Sequence, residues 1–407
     1  MRNLLTYAQS LVYTLVSLMP SRYQQNSLQT LLELFLQASG RLPTAELRLT
    51  LPEHSQTLSA SALSRFLNKY QWSCRAVIRA VRKSALQQIL AAESVVGRRP
   101  TLQVILDLTT LEKTGKFKGL GSLIRVYNGK RGLHLVVLYI ALGRWRLPWS
   151  FRVYRGKGHP GCVQLGLRLL STLPKSLTKR YQVLVLVDTA FGSIDFFKQV
   201  RQMKFHAVAG VRTDRRLAVG GTVSQVKSRG QQVYLEGLGF PVTLSWYWLE
   251  RDDGTREQRF VVSTKPFSWA YISRLGKRRW LIEGFFKTAK HRFGLHRFGE
   301  SALQEGFPTE ATALAQRNRR FSPKGQSTLL GVYRFLVLSI VAYLLSHWAH
   351  LCSGRLSLPD WGEMAMIAAE ALFPQLVLLK VLLQMKRLRQ LARKNGLDLA
   401  VKGWQYG

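Results

Sequence analysis

The sequence predicts an α/β protein: a mixed-sheet core interrupted by an all-β insertion, with helical N- and C-terminal regions. Three observations predict it. Residues 1–96 carry apolar positions at helical spacing, with no alternating β-branched run among them. From Thr101 onward, apolar branched segments alternate with Gly and Pro punctuation, the texture of adjacent strands. Between 212 and 266 the apolar runs become short and alternating before helical spacing returns. At 407 residues and 46% hydrophobic content, the chain can fill more than one core.

In chain order, 1–96 reads as a helical DNA-binding region built from LLTYAQSLVYTLVSLM, LQTLLELFLQASG, SASALSRFLNKY and RAVIRAVRKSALQQILAAE. Arg65, Lys69, Arg75, Arg79, Arg82 and Lys83, with Tyr70 and Trp72 between them, suit a helix-turn-helix style of DNA contact and equally a solvated basic face. Gly97-Arg98-Arg99-Pro100 breaks the pattern. The first part of the core, 97–211, follows with strands in TLQVILDLTTLEK, GLHLVVLYIALGRW and RLPWSFRVYRG, a helix in CVQLGLRLLSTLP, the apolar strand of YQVLVLVDTAFGS, a helix near 193–203 and the strand FHAVAGV. The β insertion, 212–266, holds TVSQV, QQVYLEGL, VTLSWYWLER and QRFVVSTK. The second part of the core, 267–350, contains a helix over Arg279–Lys290, a polar loop near 301–327 and a long apolar helix from Leu329. Residues 351–407 read as helices with a possible dimerisation role.

Charge narrows the function classes. Sixty Lys and Arg stand against 22 Asp and Glu, a net charge of +38, so the folded surface repels itself unless a polyanion is bound. The basic residues spread along the whole length rather than gathering in a tail or one amphipathic helix, which favours a long nucleic acid over a membrane surface. The apolar run Leu329–Leu345 carries Arg334 and falls short of the ~20 residues a membrane span needs, so a core helix is expected and no membrane partner. Cys74, Cys162 and Cys352 lie far apart with no CxxC spacing, against a disulfide framework or a cysteine zinc site and in keeping with a reducing cytoplasm. No phosphate-binding G-x-x-x-x-G-K-[ST] loop occurs, so no nucleotide cofactor is expected. GKGHPG, from Gly156, reads as a turn, and His347, His350 and Cys352 read as packing residues at a helix end.

The chemistry is expected at three acids. The chain has only eight aspartates, and two of them, Asp107 and Asp188, end its most hydrophobic strands. A carboxylate in that setting costs several kcal/mol unless a cation or hydrogen bonds meet it. Adjacent strands would bring both to one sheet edge, where a packed helix adds Glu283. Oxygen-only donors favour Mg²⁺ or Mn²⁺, and two such ions suit in-line attack on a phosphodiester. On the helix over 279–290, Arg279 and Lys290 share the line of Glu283 and are read as phosphate contacts, with Arg278 and Lys287 as further DNA contacts. Ile282, Phe286, Ala289 and Phe293 give that helix its packing stripe. Trp246 and Trp248 fall on one face of a strand, either to pack there or to stack on an unpaired base.

VILDLTTLEKTG, VLVLVDTAFGS and RRWLIEGFFKTAKHRFGL together resemble the three acidic motifs of the DDE insertion-sequence transposases, in the group with the Tyr-Arg-Glu-Lys signature. Arg279, Glu283 and Lys290 keep that signature's spacings, while Gly276 stands at the tyrosine position. The resemblance implies a ribonuclease-H-like core with a β insertion between the second Asp and the Glu. It implies cut-and-paste transposition by Mg²⁺-dependent strand cleavage and strand transfer, with Asp107, Asp188 and Glu283 as metal ligands. The partners it implies are double-stranded DNA, as terminal inverted repeats and as target, with a homodimer in the DNA complex. Two alternatives stay open: a two-metal DNA nuclease on the same core, and an inactive DNA-binding protein derived from a transposase.

Overall fold

The computed structural model describes residues 2–38, 58, 60–92, 99–113, 123–250, 253–298, 328–354 and 359–397. Gly40, Asp252 and the expected polar loop at 301–327 lie outside the described residues. The chain forms two compact units: Met1–Val81 with His291–Gly407, and Arg82–Lys290.

The elements run α1 (Arg2–Ser17), α2 (Arg22–Ala38), α3 (Ala60–Asn68), α4 (Cys74–Ala92), β1 (Thr101–Glu112), β2 (Arg125–Tyr127), β3 (Lys130–Leu142), β4 (Trp145–Tyr154), α5 (Cys162–Leu170), α6 (Lys175–Arg180), β5 (Gln182–Val187), α7 (Ile194–Gln202), β6 (His206–Val211), β7 (Gln232–Val233), β8 (Val242–Glu250), β9 (Arg256–Ser263), α8 (Trp269–Arg278), α9 (Leu281–His291), α10 (Leu329–Cys352), α11 (Trp361–Leu372) and α12 (Pro374–Lys394).

In the second unit β4, β3, β1, β5 and β6 lie side by side, antiparallel from β4 to β1 and parallel from β1 to β6. That mixed order is the ribonuclease-H-like arrangement. In the antiparallel half a tight turn at Gly143, with φ 50, joins β3 to β4, and the Asn128-Gly129 pair, both with positive φ, joins β2 to β3. The parallel half needs crossovers, which α5 and α6 and then α7 supply. β5 is buried along Val183–Val187, as its unbroken apolar run requires for a strand covered on both faces.

The 212–266 stretch extends this same sheet, because β9 pairs antiparallel with β6 and β8 with β9. Two of its expected strands fall short. TVSQV becomes a 3₁₀ turn at Val223–Gln225, closed by reciprocal capping between Thr222 and Gln225 and pinned by the fully buried Val223. QQVYLEGL keeps only Gln232–Val233 as strand, and Gly237 turns the chain at φ 78.

The first unit gathers α1, α2, α3 and α11 around α10. Residues 291–298 and 328–350 therefore belong with the N-terminal helices, a correction to the expected second part of the core over 267–350. The physical reason is α10 itself, which is apolar all round, so its whole circumference needs cover. It is long and apolar enough to cross a membrane, and 78% of its most apolar window is buried inside the unit. Arg334 sits in this interior with 1% exposure. Its guanidinium lies 4.1 Å from the Trp72 ring centre and donates to the carbonyls of Phe66, Leu67 and Trp72. Two of those carbonyls close the C-terminal end of α3, where a cation meets the negative end of the helix dipole.

Arg334→Met is expected to lower the stability of this unit by about 3 kcal/mol, because the Leu67 and Trp72 carbonyls lose their donor at once while Phe66 keeps only the Trp72 indole. Urea unfolding followed by Trp fluorescence measures it, and a loss under about 1 kcal/mol would show that the carbonyls have other donors.

Candidate active site

Strand register brings the two aspartates together. β1 and β5 pair in parallel, with Leu106 opposite Val187, so the next residue on each strand is Asp107 and Asp188. Parallel neighbours in register point to the same face about 4.8 Å apart. Asp107 accepts the N–H of Leu108 at 2.7 Å, and Asp188 accepts the N–H of Ala190 at 3.0 Å. The Asp188 turn sits tight on β6: a Cβ on Gly210 would come within 2.8 Å of Thr189 Oγ1, and one on Gly192 would strike the Gly210 carbonyl oxygen.

α9 lies on the same face. Ile105 and Tyr139 are directly paired across β1 and β3, and Phe285 stacks on Tyr139 with ring centres 5.3 Å apart. Ile282, Phe286 and Ala289 are buried, as the apolar stripe predicts. The helix itself differs from the expected Arg279–Lys290 span. α8 ends at Arg278, Arg279 caps it in helical conformation, and α9 starts at Leu281. Periodicity does not reveal this break, because Arg279 and Trp280 keep helical polarity and i→i+3 bonds carry the chain through.

The break aims Arg279 at the acids. Its Nη1 donates to Asp107 Oδ2 at 2.7 Å, and its Nη2 lies 3.5 Å from Glu283 Oε1. Asp107 and Arg279 are 10% and 16% exposed, whereas Glu283 is 46% exposed, so the first pair is desolvated and the second is not. Burial pushes Asp107 up to about 7, against Arg279, with the charge of Asp188 adding to the rise. Burial also raises Asp188, opposed by Arg279 and by the N–H groups of Ala190 and Phe191. Among the described residues, no three His, Cys, Asp or Glu side chains are grouped closely enough to enclose a metal ion. Asp107 and Asp188 nevertheless suit a hard cation: both are buried oxygen donors whose charge is met at present by one guanidinium. Glu283 joins them only through Arg279.

The other expected residues fall at graded distance from this centre. Arg278 and Lys287 are exposed. Lys290 is half-buried beside Lys130 and Glu112, away from Glu283, and burial followed by Lys130 lowers its pKa. Trp246 is 9% exposed, tilted on Phe260 at 5.6 Å and covered by Arg229 at 5.2 Å, so it packs. Trp248 is 52% exposed and lines a groove of about 550 Å³ with Trp269, Arg229, Arg274 and Lys277.

Sequence reasoning missed three features. A second groove of about 400 Å³ beside the Asp188 turn is lined by Arg212, Arg215 and Arg216, a cluster visible in VRTDRR directly after a strand. Tyr127 and Cys162 hydrogen-bond each other within the field of Asp188, a contact no sequence spacing signals. Tyr247 lies within the fields of Arg279 and Glu283, with its phenol pushed up by burial.

Residues 98–301, half of the chain, match the transposase DDE domain, a span that includes Asp107, Asp188 and Glu283. A search of curated proteins gives no match. Among solved structures, the chain is similar to a piggyBac transposase in a synaptic complex with hairpin DNA, solved by cryo-EM, at 14% identity and a TM-score of 0.42, over 99% of this chain and 84% of that one.

Asp107 gives the site a pH signature. Its folded pKa of about 7 exceeds the ordinary value near 4, so its contribution to stability falls as pH rises between them, and the cost is complete above about 7. In EDTA, Asp107→Asn is expected to melt about 5 °C above wild type at pH 8 and level with it near pH 4. A difference independent of pH would show that Asp107 is not held protonated by its surroundings.

Proposed function

The chain belongs to the DDE transposase family, and from that premise we propose that it carries out Mg²⁺-dependent cut-and-paste DNA transposition, cleaving the ends of its element and joining them to target DNA. The observation that carries this reading is the Asp107–Asp188 register, which sets two buried carboxylates beside one another at a sheet edge with Glu283 one guanidinium away.

Asp107, Asp188 and Glu283 would hold two divalent ions. Ions bound there supply an activated water or 3′-hydroxyl and neutralise charge on the leaving oxygen. The chain's own residues do the rest. Arg279 shares its guanidinium between Asp107 and Glu283, so an arriving phosphate can exchange one anion for another and leave the carboxylates open. Arg278 and Lys287, both exposed, hold flanking phosphates, and Lys290 acts from further along α9 beside Lys130. Trp248, with the packed Trp246 beneath the same strand surface, offers its open ring to an unpaired base at the cleaved end. The double-stranded partners are the element's inverted repeats and the target, and exposed Leu382, Leu388 and Leu391 on α12 are the candidate surface for a homodimer.

Asp107→Ala, Asp188→Ala and Glu283→Ala are each expected to lower Mg²⁺-dependent cleavage of end DNA by at least about 10³-fold while the protein still shifts that DNA. A nicking assay beside a gel shift reads both, and retention of cleavage in any one variant removes that residue from the site. Joining of the 3′ end to target separates transposition from simple nuclease action.

Trp248→Ala is expected to slow end cleavage about 10-fold with no change in melting temperature, the usual scale of one lost stacking contact. Trp246→Ala, by contrast, is expected to cost about 3 kcal/mol of stability. Wild-type cleavage by a folded Trp248→Ala protein would remove the base contact.

A further inference from the structure

Tyr247 stands where strand, helix and acidic edge meet. On β8, Ser245 and Tyr247 point to one side and Trp246 and Trp248 to the other. α8 lies along the Ser245 side: Ser245 Oγ donates to the Trp269 carbonyl at 3.0 Å and meets Ser273 Oγ at 2.9 Å, and Ser273 Oγ donates to the Trp246 carbonyl at 3.2 Å. Ser273 and Gly276, three apart on α8, are the small residues that meet this side of the strand.

Gly276 is the thin point of that face. A Cβ there would come within 3.0 Å of Tyr247 Cε1 and within 3.0 Å of Val261 Cγ2, so the Tyr247 ring occupies the room that a side chain at 276 would take. The ring lies under the Lys277 ammonium, 5.7 Å from its centre. Its hydroxyl faces the Trp280 indole, which is donor-only, and lies within the fields of Arg279 and Glu283. Beside a group that can only donate, the hydroxyl can give its own proton to an acceptor at the edge where those charges sit.

The geometry points to Tyr247 as a further substrate-contacting residue, its phenolic hydroxyl donating to a DNA phosphate oxygen beside Glu283 along a path that Gly276 leaves clear. This rests on the transposase reading of the site. A neutral donor suits the position, since another cation there would repel Arg279 and Lys277. The ring also brings its hydroxyl to the edge with only two side-chain torsions to fix.

The experiment moves the ring from strand to helix. Tyr247→Phe is expected to lower kcat/KM for end cleavage about 10-fold, and to weaken binding of end DNA in Ca²⁺ about 5-fold, at unchanged melting temperature. Tyr247→Ala combined with Gly276→Tyr refills the space with a phenol and is expected to recover most of the cleavage lost by Tyr247→Ala alone. Tyr247→Ala combined with Gly276→Phe refills it without a hydroxyl and is expected to recover only melting temperature. Equal recovery by the two double variants, or a Tyr247→Phe protein that cleaves and binds as wild type does, overturns the proposal. If the wild-type protein cleaves no DNA, the transposase reading is what fails, and the Ca²⁺ binding comparison still decides whether the Tyr247 hydroxyl touches DNA.

Discussion

One guanidinium governs the acidic edge of this protein. Asp107 and Asp188 are adjacent by strand register, the first buried and the second half-buried, so water relieves their mutual repulsion only in part. Arg279 lowers both pKa values against burial and reaches Glu283 as well. Remove that positive charge without replacing it, and protonation is the cheapest remaining way to satisfy the aspartates. The site thus needs a cation whatever its state, and the rest of the unit can be read as what delivers one to that spot.

Delivery depends on close backbone approach. α8 reaches the sheet through Ser273 and Gly276, small residues facing Ser245, Tyr247 and Val261, and the turn after it sets Arg279 over β1. With the Tyr247 ring in place, a larger residue at 276 would lift the helix from the strand and carry Arg279 with it. Gly192 and Gly210 do the matching task for Asp188, letting its turn lie on β6. Glycine matters at these three positions for lack of a Cβ, since none of them has a positive φ.

Much of this was legible in the sequence, and the gaps have physical causes. Carboxylates closing the runs VILD and LVLVD stand out because an apolar run seldom meets a carboxylate without a partner, although β1 continues past Asp107 to Glu112 where the sequence reading ends it, and the Ile282–Phe286–Ala289 stripe marks α9 as packed. The register that sets Asp107 against Asp188 was beyond reach, because it depends on how β1 and β5 align, fixed in part by the Gln182 N–H bonding the Pro100 carbonyl. The break at Arg279 and Trp280 was hidden, since neither Gly nor Pro marks it and helical spacing runs through it. Lys290 lies two turns beyond Glu283 on α9, and its neighbours Lys130 and Glu112 come from other elements, so local spacing does not reveal them. For α10 the apolar run revealed burial, but no local pattern says which helices supply the cover.

Arg334 and Arg279 are both withdrawn from water, and their partners separate structure from chemistry. Arg334 is 1% exposed and donates to backbone carbonyls, which are fixed in place and cannot exchange for a ligand. Arg279 keeps 16% exposure and is met by carboxylates at a sheet edge, one of them half-open to solvent. A phosphate approaching that edge finds a guanidinium already desolvated on one side, so the ordering cost of holding the long side chain is largely met before binding. The same contact that balances the carboxylates is therefore the one an incoming DNA strand is best placed to take over.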